Sequence, residues 1–499
     1  SASITPPSLL FLWRRESVDS LMPDKRSNHG EIRDLTQGPI RKQLISFALP
    51  LFAGSLIQLL YNTVDLMFVG RVLGTEASAA VGASSLIVTC ILGAFTGLSV
   101  GVGVVTAKAV GSGNIGRLNQ IIHCAAGLTC VLSLVFTVLG LIMAPEFLRW
   151  IQTPADVLEN ATAYLRLYLL SLISIVSYNM GSGILRALGN TKSPTLYQLA
   201  GGIANIIGNT LFICFLDWGV QGAALATACS QGLAAFLIIR HLCTIKTPYR
   251  LRLRQLQINA SICGQFLLVG IPAAIQSIVI TLSNLIVQAH INQLGIDSMA
   301  AFTAYFKVEN FIYLPIMAFG QACSTFTSQN IGAKKLKSAS DAAFCALTAS
   351  AVLSFIISSI LGFASRPLMS LMNIHGEVLD YASSYFSICI RFSFLQAITS
   401  VSSAIFKSCG RPKISVSVSL GMNCINALLN YLVIFRPFEI PLYGVTGIAC
   451  SYAISNACAA VTMLILLAKV PLGLDFRHKS WQSFRMLRKV LRIGIPGGI

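Results

Sequence analysis

ISFALPLFAGSLIQLLYNTVDLMFVGRVLG, residues 45–74, holds an apolar run long enough to cross a bilayer and carries one acid, Asp65, near its far end. About 20 predominantly apolar residues span the hydrocarbon core as a helix. Pro50 and Gly54 interrupt the run, which packed membrane helices tolerate. Runs of the same kind recur along the chain. Twelve spans are predicted, at 44–69, 78–104, 118–142, 160–185, 195–215, 220–240, 264–289, 298–324, 340–363, 381–406, 415–435 and 445–468. The 499 residues are 55% hydrophobic and only 11% charged, whereas soluble domains carry about 25% charged residues. The class that follows is an all-α polytopic membrane protein.

The net charge of +18 would suggest a nucleic-acid partner in a soluble protein. Its distribution says otherwise. With the N-terminus in the cytoplasm, 29 of the 36 Lys and Arg fall in the N-terminal arm, the inner loops and the C-terminal tail. The outer loops hold four, Arg71, Arg149, Arg366 and Arg436, and the spans hold three, Arg166, Lys307 and Arg391. That asymmetry follows the positive-inside rule and sets the expected orientation in a cytoplasmic (inner) membrane. The expected neighbour of the basic loops is anionic lipid rather than nucleic acid.

Pairs at a constant offset of 221 divide the chain into two units: Gly74 with Gly295, Gly111 with Gly332, Arg186 with Lys407, Gly189 with Gly410, Asn205 with Asn426 and Asn209 with Asn430. Pro50 and Pro272 stand 222 apart. Six spans per unit is an even number, so both units enter the membrane in the same direction. Parallel repeats of this kind occur in secondary transporters, with the substrate path between the halves. The expected organisation is a cytoplasmic arm at 1–43, an N-lobe of helices 1–6 at 44–240, a basic cytoplasmic linker at 241–263 and a C-lobe of helices 7–12 at 264–470, around a central cleft. A basic tail follows at 471–499. It ends LRIGIPGGI, which reads as the truncated start of a further helix, with an amphipathic helix on the inner leaflet as the alternative. Residues 1–21 precede Met22 and are left out of the fold as read-through or a leader. Features shared by both units read as scaffold. The turns VGSGN and IGAKK read as tight glycine turns, and LRALGNTKSP and FKSCGRPK as basic turns anchoring the inner face.

The 14 cysteines and six histidines are scattered. No CxxC, HExxH, GxSxG or nucleotide-binding loop is present, so an enzyme reading has no support and no cofactor is expected. All 14 cysteines are read as core residues, since Cys packs as a small hydrophobe.

Ionisable groups at membrane depth are costly and suggest function. Two acids qualify, Asp65 and Glu309. The repeat partner of Asp65 is apolar, so this acid belongs to the first unit alone. A carboxylate there suits Na+, and a desolvated one can carry a proton; the competing reading is a carboxylate satisfied by a neighbouring helix. Asn205 and Asn209, four apart on span 5, share a helix face, and Thr227 lies in span 6. These oxygens either complete a cation shell at Asp65 or make interhelical hydrogen bonds, as the recurrence at Asn426 and Asn430 suggests. Glu309 in span 8 either pairs with Arg391 of span 10 or attracts a cationic substrate. Glu309, Arg391 and Tyr61 are the candidate substrate-cavity residues.

The stretch DLTQGPIRKQLISFALPLFAGSLIQLLYNTVDLMFVGRVLGTEASAAVG (34–82) resembles the opening of a MATE (multidrug and toxic compound extrusion) transporter. GIPAAIQ (270–276) and KVENFIYLPIMAFGQACSTFTSQNIGA (307–333) resemble the family's helices 7 and 8. The resemblance covers about 34–470. It implies antiport, in which an inward Na+ or H+ gradient drives export of organic, often cationic and aromatic, small molecules. It also implies a coupling-cation site at Asp65, Asn205, Asn209 and Thr227. Where some members carry a second carboxylate on helix 5, this chain has Asn209, which leaves Na+ and H+ both open. Members with a second acidic site carry acids on helices 7 and 10. Here span 7 offers Gln276, Asn284 and Gln288, and Arg391 sits in span 10, so no such second site is expected. The expected state is a monomer. A lipid-linked oligosaccharide flippase of the same superfamily is the rival; Arg166, Lys307 and Arg391 would have to line its cavity.

Overall fold

The computed structural model describes residues 34–292, 296–371, 376–435 and 444–474. Residues 1–33 and most of the tail, including LRIGIPGGI, therefore lie outside the described residues. So do Gly295 and Arg436.

The described chain is helical throughout. The first lobe contains α1 (Ile40–Phe68), α2 (Gly74–Gly111), α3 (Ile115–Trp150), α4 (Ala155–Leu170), α5 (Leu172–Ala187), α6 (Lys192–Asn209) and α7 (Gly219–Thr244). The second contains α8 (Ala260–Asn292), α9 (Ile296–Gly332), α10 (Leu336–Phe363), α11 (Ser365–Leu371), α12 (Glu377–Arg391), α13 (Ser393–Ser408), α14 (Pro412–Phe435) and α15 (Gly444–Lys469). Among the described residues nine helices are long and apolar enough to cross a membrane. Two bent pairs, α4 with α5 and α12 with α13, raise the number to 11. The remaining passage is α9, 37 residues long, which carries Glu309 and much of the polar cavity wall described below. With it the twelve expected passages are present.

Large apolar side chains stand exposed on the outward faces of α3, α7 and α10, among them Leu134, Ile142, Phe236 and Ile360. An apolar surface of this kind belongs in lipid. The cysteine reading needs correction on the same ground. Cys124, Cys263, Cys323 and Cys389 are buried, but Cys130, Cys214, Cys229, Cys424 and Cys458 are exposed. In lipid an outward small hydrophobe carries no penalty, so a cysteine does not mark the interior.

The repeat is visible in local geometry. The bends fall at Ser171, 43° between α4 and α5, and at Phe392, 40° between α12 and α13; these positions are again 221 apart. After α5 and after α13 the chain closes in the same motif. Gly189 (φ +90) and Gly410 (φ +78) adopt the left-handed conformation. Asn190 N–H then donates to Leu185 O and Arg411 N–H to Phe406 O, each at 2.9 Å. This is the hydrogen-bonded glycine stop that satisfies the last carbonyls of a helix.

The lobes meet at one end. Gly111 of α2 and Gly332 of α9 were expected to make tight turns. The structure instead uses them for close approach between helices. A Cβ on Gly111 would lie 1.8 Å from Gln329 O, and one on Gly332 2.1 Å from Lys108 O. Lys108 and Gln329 are themselves 221 apart, so the contact is symmetric about the axis relating the lobes. The left-handed residues of the two turns are Gly113 and Lys334.

The N-terminal segment straps this end. Leu35 N–H donates to Gln329 Oε1 (3.2 Å), and Gln329 Nε2 donates to Ala187 O (2.7 Å). Lys335 Nζ donates to Thr36 O (3.1 Å). The first half of α1 then packs on the second lobe, with Phe47 edge-on to Phe326 of α9 at 5.5 Å. The linker is fixed to the first lobe: Arg252 N–H donates to His123 Nε2 (3.0 Å), and Tyr249 and Leu251 are buried in that lobe's core.

Candidate functional site

Asp65 lies on the last turns of α1, which continues as one π-helical turn, Val69–Leu73. Arg71, expected in an outer loop, falls within that turn. α6 likewise ends in a π-helical segment, Thr210–Phe215, immediately after Asn209. Such segments are rare and concentrate at functional sites.

Asp65, Asn205, Asn209 and Thr227 are brought together. Asn209 Nδ2 donates to Asp65 Oδ1 at 2.7 Å and also reaches Asn205 Oδ1 at 3.2 Å. Asn205 Nδ2 donates to Thr227 Oγ1 at 3.4 Å, and Thr227 Oγ1 donates to Ala223 O at 3.1 Å. Asn209 Oδ1 is buried with no hydrogen-bond partner among the described residues. Both asparagines are buried, and Asp65 and Thr227 partly so. Three tyrosines that were not singled out as cation-site residues, Tyr61, Tyr164 and Tyr168, are close enough to Asp65 to interact with its charge. Tyr61 stands four residues before Asp65 on α1, a spacing that shares a helix face, whereas Tyr164 and Tyr168 approach from α4, which helical spacing on α1 does not reveal.

The second lobe repeats the amides without the acid. Asn430 Nδ2 donates to Asn426 Oδ1 at 2.7 Å, and Asn426 Nδ2 to Ser455 Oγ at 3.2 Å. Asn430 Oδ1 is also buried and unpartnered among the described residues. The amide chain is thus common scaffold, and Asp65 is what distinguishes the first lobe.

A cavity of about 420 Å³ opens between the lobes. Its wall comes from α2 and α5 of the first lobe and from α8, α9, α12, α13, α14 and α15 of the second. Among the described residues it holds one acid, Glu309. Tyr452 Oη donates to Glu309 Oε1 at 2.9 Å, and Tyr305 is a second hydrogen-bond neighbour. Tyr305 stands edge-on to Tyr385 at 5.0 Å, which also meets Phe302 at 6.0 Å. Tyr313 completes an aromatic surround.

The other substrate-cavity candidates are placed elsewhere. Arg391 is exposed, with its guanidinium 5.9 Å from the Phe363 ring centre. It makes no ion pair with Glu309, because its side chain leaves α12 on the face away from the cavity. Tyr61 is buried inside the first lobe, where Gln198 Nε2 and Gln231 Nε2 both donate to its hydroxyl at 3.3 Å. Arg166 is exposed and donates to Leu141 O at 3.3 Å. The side chain of Lys307 lies outside the described set. Arg186 and Lys407, read from sequence as part of the basic turns at the inner face, instead line the cavity.

Two six-helix lobes, a cavity between them and a buried carboxylate–amide chain in one lobe define a helical membrane transporter rather than an enzyme. The model of the MatE family matches residues 50–211 and again 272–432, and the chain belongs to that family. The two matched segments begin at Pro50 and Pro272, the repeat-related prolines. The probable multidrug resistance protein YpnP of Bacillus subtilis is 31% identical over 304 residues, covering 60% of this chain and 67% of the relative. The multidrug export protein MepA of Staphylococcus aureus is 20% identical over 431 residues, covering 86% of this chain and 94% of the relative. A solved structure described as the outward-facing conformation of a multidrug resistance MATE family transporter of the MOP superfamily superposes with a TM-score of 0.81 at 22% identity. That match covers 88% of this chain and 97% of the other.

Proposed function

We propose that the chain is a cation-coupled antiporter that exports organic, cationic or aromatic small molecules by alternating access. The observation that carries this reading is the 2.7 Å bond from Asn209 Nδ2 to Asp65, set in a chain of amides whose outermost oxygen has no partner. With the amide N–H facing it, the carboxylate is arranged as an unloaded anion. A half-turn of the Asn209 amide would present Oδ1 instead. Asp65, Asn209, Asn205 and Thr227 would then offer oxygens to Na+, or Asp65 would hold a proton. Either exchange neutralises the negative charge that α1 carries at that end.

α1 is the physical link between ion and cavity. It carries Asp65 near one end and packs Phe47 against Phe326 of α9 at the other, while α9 carries Glu309 on the cavity wall. Coupling requires the ion and the substrate to disfavour each other's occupancy, and movement of α1 against α9 is the means this geometry offers. The aromatic surround of Glu309 suits a flat organic cation, through charge and cation–π attraction. The charge distribution supports a cytoplasmic N-terminus and an inner-membrane location, and hence an outward-facing state, since the lobes meet at the N-terminal end. A monomer surrounded by lipid is the assembly in which each chain carries its own site and cavity. The flippase reading loses Arg166 and Arg391, which lie off the cavity; Arg186 and Lys407 do line it, and what disfavours a flippase is the likeness to multidrug exporters. The test is efflux of ethidium from proteoliposomes under a Na+ gradient alone and then a pH gradient alone. Efflux driven by neither would remove the reading.

A further inference from the structure

The closed end of the cavity is unlike its Glu309 end. Arg186, in the last turn of α5, and Lys407, in the last turn of α13, both line it. They occupy one position of the repeat, so one basic side chain enters from each lobe. Among the described residues neither has an ion pair or a hydrogen bond, and the electrostatic neighbour of Arg186 is the Tyr178 hydroxyl. Glu309 is too remote to neutralise them. Ser324, level with Lys407 through the bond from Ser408 Oγ to Ser324 O (3.1 Å), stands 15 residues along α9 from Glu309, or roughly 22 Å at the helical rise.

A structural duty for the pair is capping of helix C-termini. That duty is already filled. The carbonyls of Leu185 and Arg186 accept from Asn190 and Gly189, and those of Phe406 and Lys407 from Arg411 and Gly410. The surrounding wall is small and polar: Gly103, Gly183, Gln321, Ser324, Thr325 and Ser403. Two unpaired cations facing a pocket of hydroxyls and an amide form a receptor for an oxyanion, since charge-assisted hydrogen bonds to carboxylate or phosphate are the strong ones.

We propose that Arg186 and Lys407 form an oxyanion site at the closed end of the cavity, which takes the carboxylate or phosphate of an organic molecule. Binding stands on this geometry alone; its place in transport rests on the export reading above. The two sources are separated by matched probes. Norfloxacin carries a carboxylate that its ethyl ester lacks, and riboflavin 5′-phosphate carries a phosphate that riboflavin lacks. Affinities of the purified full chain are read by ligand fluorescence anisotropy. In at least one arm the acidic member binds about tenfold tighter than its neutral partner, and that arm identifies the oxyanion. The Arg186→Gln/Lys407→Gln variant brings the two affinities of that pair together. Equal affinities in both arms for the wild-type protein overturn the site, as does a difference that survives in the variant. If the variant does not fold, the wild-type comparison decides. Efflux assays separate the two readings: a binding difference without any export defeats the export reading and leaves the site, whereas export with equal affinities does the reverse.

Discussion

Gly111 of α2 approaches Gln329 of α9 so closely that a Cβ would stand 1.8 Å from the Gln329 carbonyl oxygen, and the repeat-related Gly332 meets Lys108 O in the same way. Backbone atoms cannot yield as the tip of a side chain can. Gly111→Val and Gly332→Val are therefore expected to hold this end of the lobes apart without unfolding either lobe. In each variant a cysteine introduced at Gln329 should react with an aqueous maleimide faster than in the parent, and ethidium efflux should fall. Unchanged labelling would show that the seam is not the gate.

The two amide pairs provide an internal control. Asn209 and Asn430 make the same bond to a neighbouring asparagine, but only Asn209 reaches an acid. Asn209→Ala removes both the N–H that holds the unloaded carboxylate and the Oδ1 offered to a bound cation, and a hydrogen bond to a charged group contributes about 1.5–3 kcal/mol. The coupling-ion concentration for half-maximal efflux should therefore shift by roughly tenfold or more, upward for Na+ through the lost ligand and downward for H+ through the freed carboxylate. Asn430→Ala should leave it near the parent value while lowering thermal stability. Equal effects from the two variants would reduce Asn209 to scaffold.

Glu309 is bonded to Tyr452 and surrounded by aromatic rings. Glu309→Gln keeps the shape and an acceptor but removes the charge. The affinity for ethidium should drop by about tenfold, or ~1.4 kcal/mol for the lost carboxylate–cation attraction, and the coupling-ion dependence should stay. Full retention of ethidium affinity would mean that the aromatic surround alone selects the substrate.

Much of this arrangement was legible in the sequence because it is written in periodicity. Asn205 and Asn209 share a face by their spacing, and the length and apolarity of the runs mark the passages. The grouping of Asp65 with Thr227 needed the family resemblance, since spacing on separate helices carries no register between them. The contents of the cavity were harder to read. Arg391 stands in the middle of its span, but the azimuth that sends it over Phe363 depends on the bend at Phe392. Arg186 and Lys407 sit near helix ends, where basic residues usually face lipid headgroups. Only the tertiary fold turns them into the cavity. Gly111 and Gly332 carried the signature of turns, and the repeat flagged them as scaffold, but helix crossing is a property of two lobes together.

The central claim is that Asp65 carries the coupling cation, and the Asp65→Asn variant in proteoliposomes tests it most directly. The substitution keeps size and hydrogen-bonding capacity while removing the charge. Ethidium efflux should be measured for parent and variant under a Na+ gradient alone and under a pH gradient alone, with folding checked by size-exclusion profile. The account predicts efflux by the parent under at least one gradient, and background efflux by a normally folded variant under both. Full gradient-driven efflux by Asp65→Asn would contradict it.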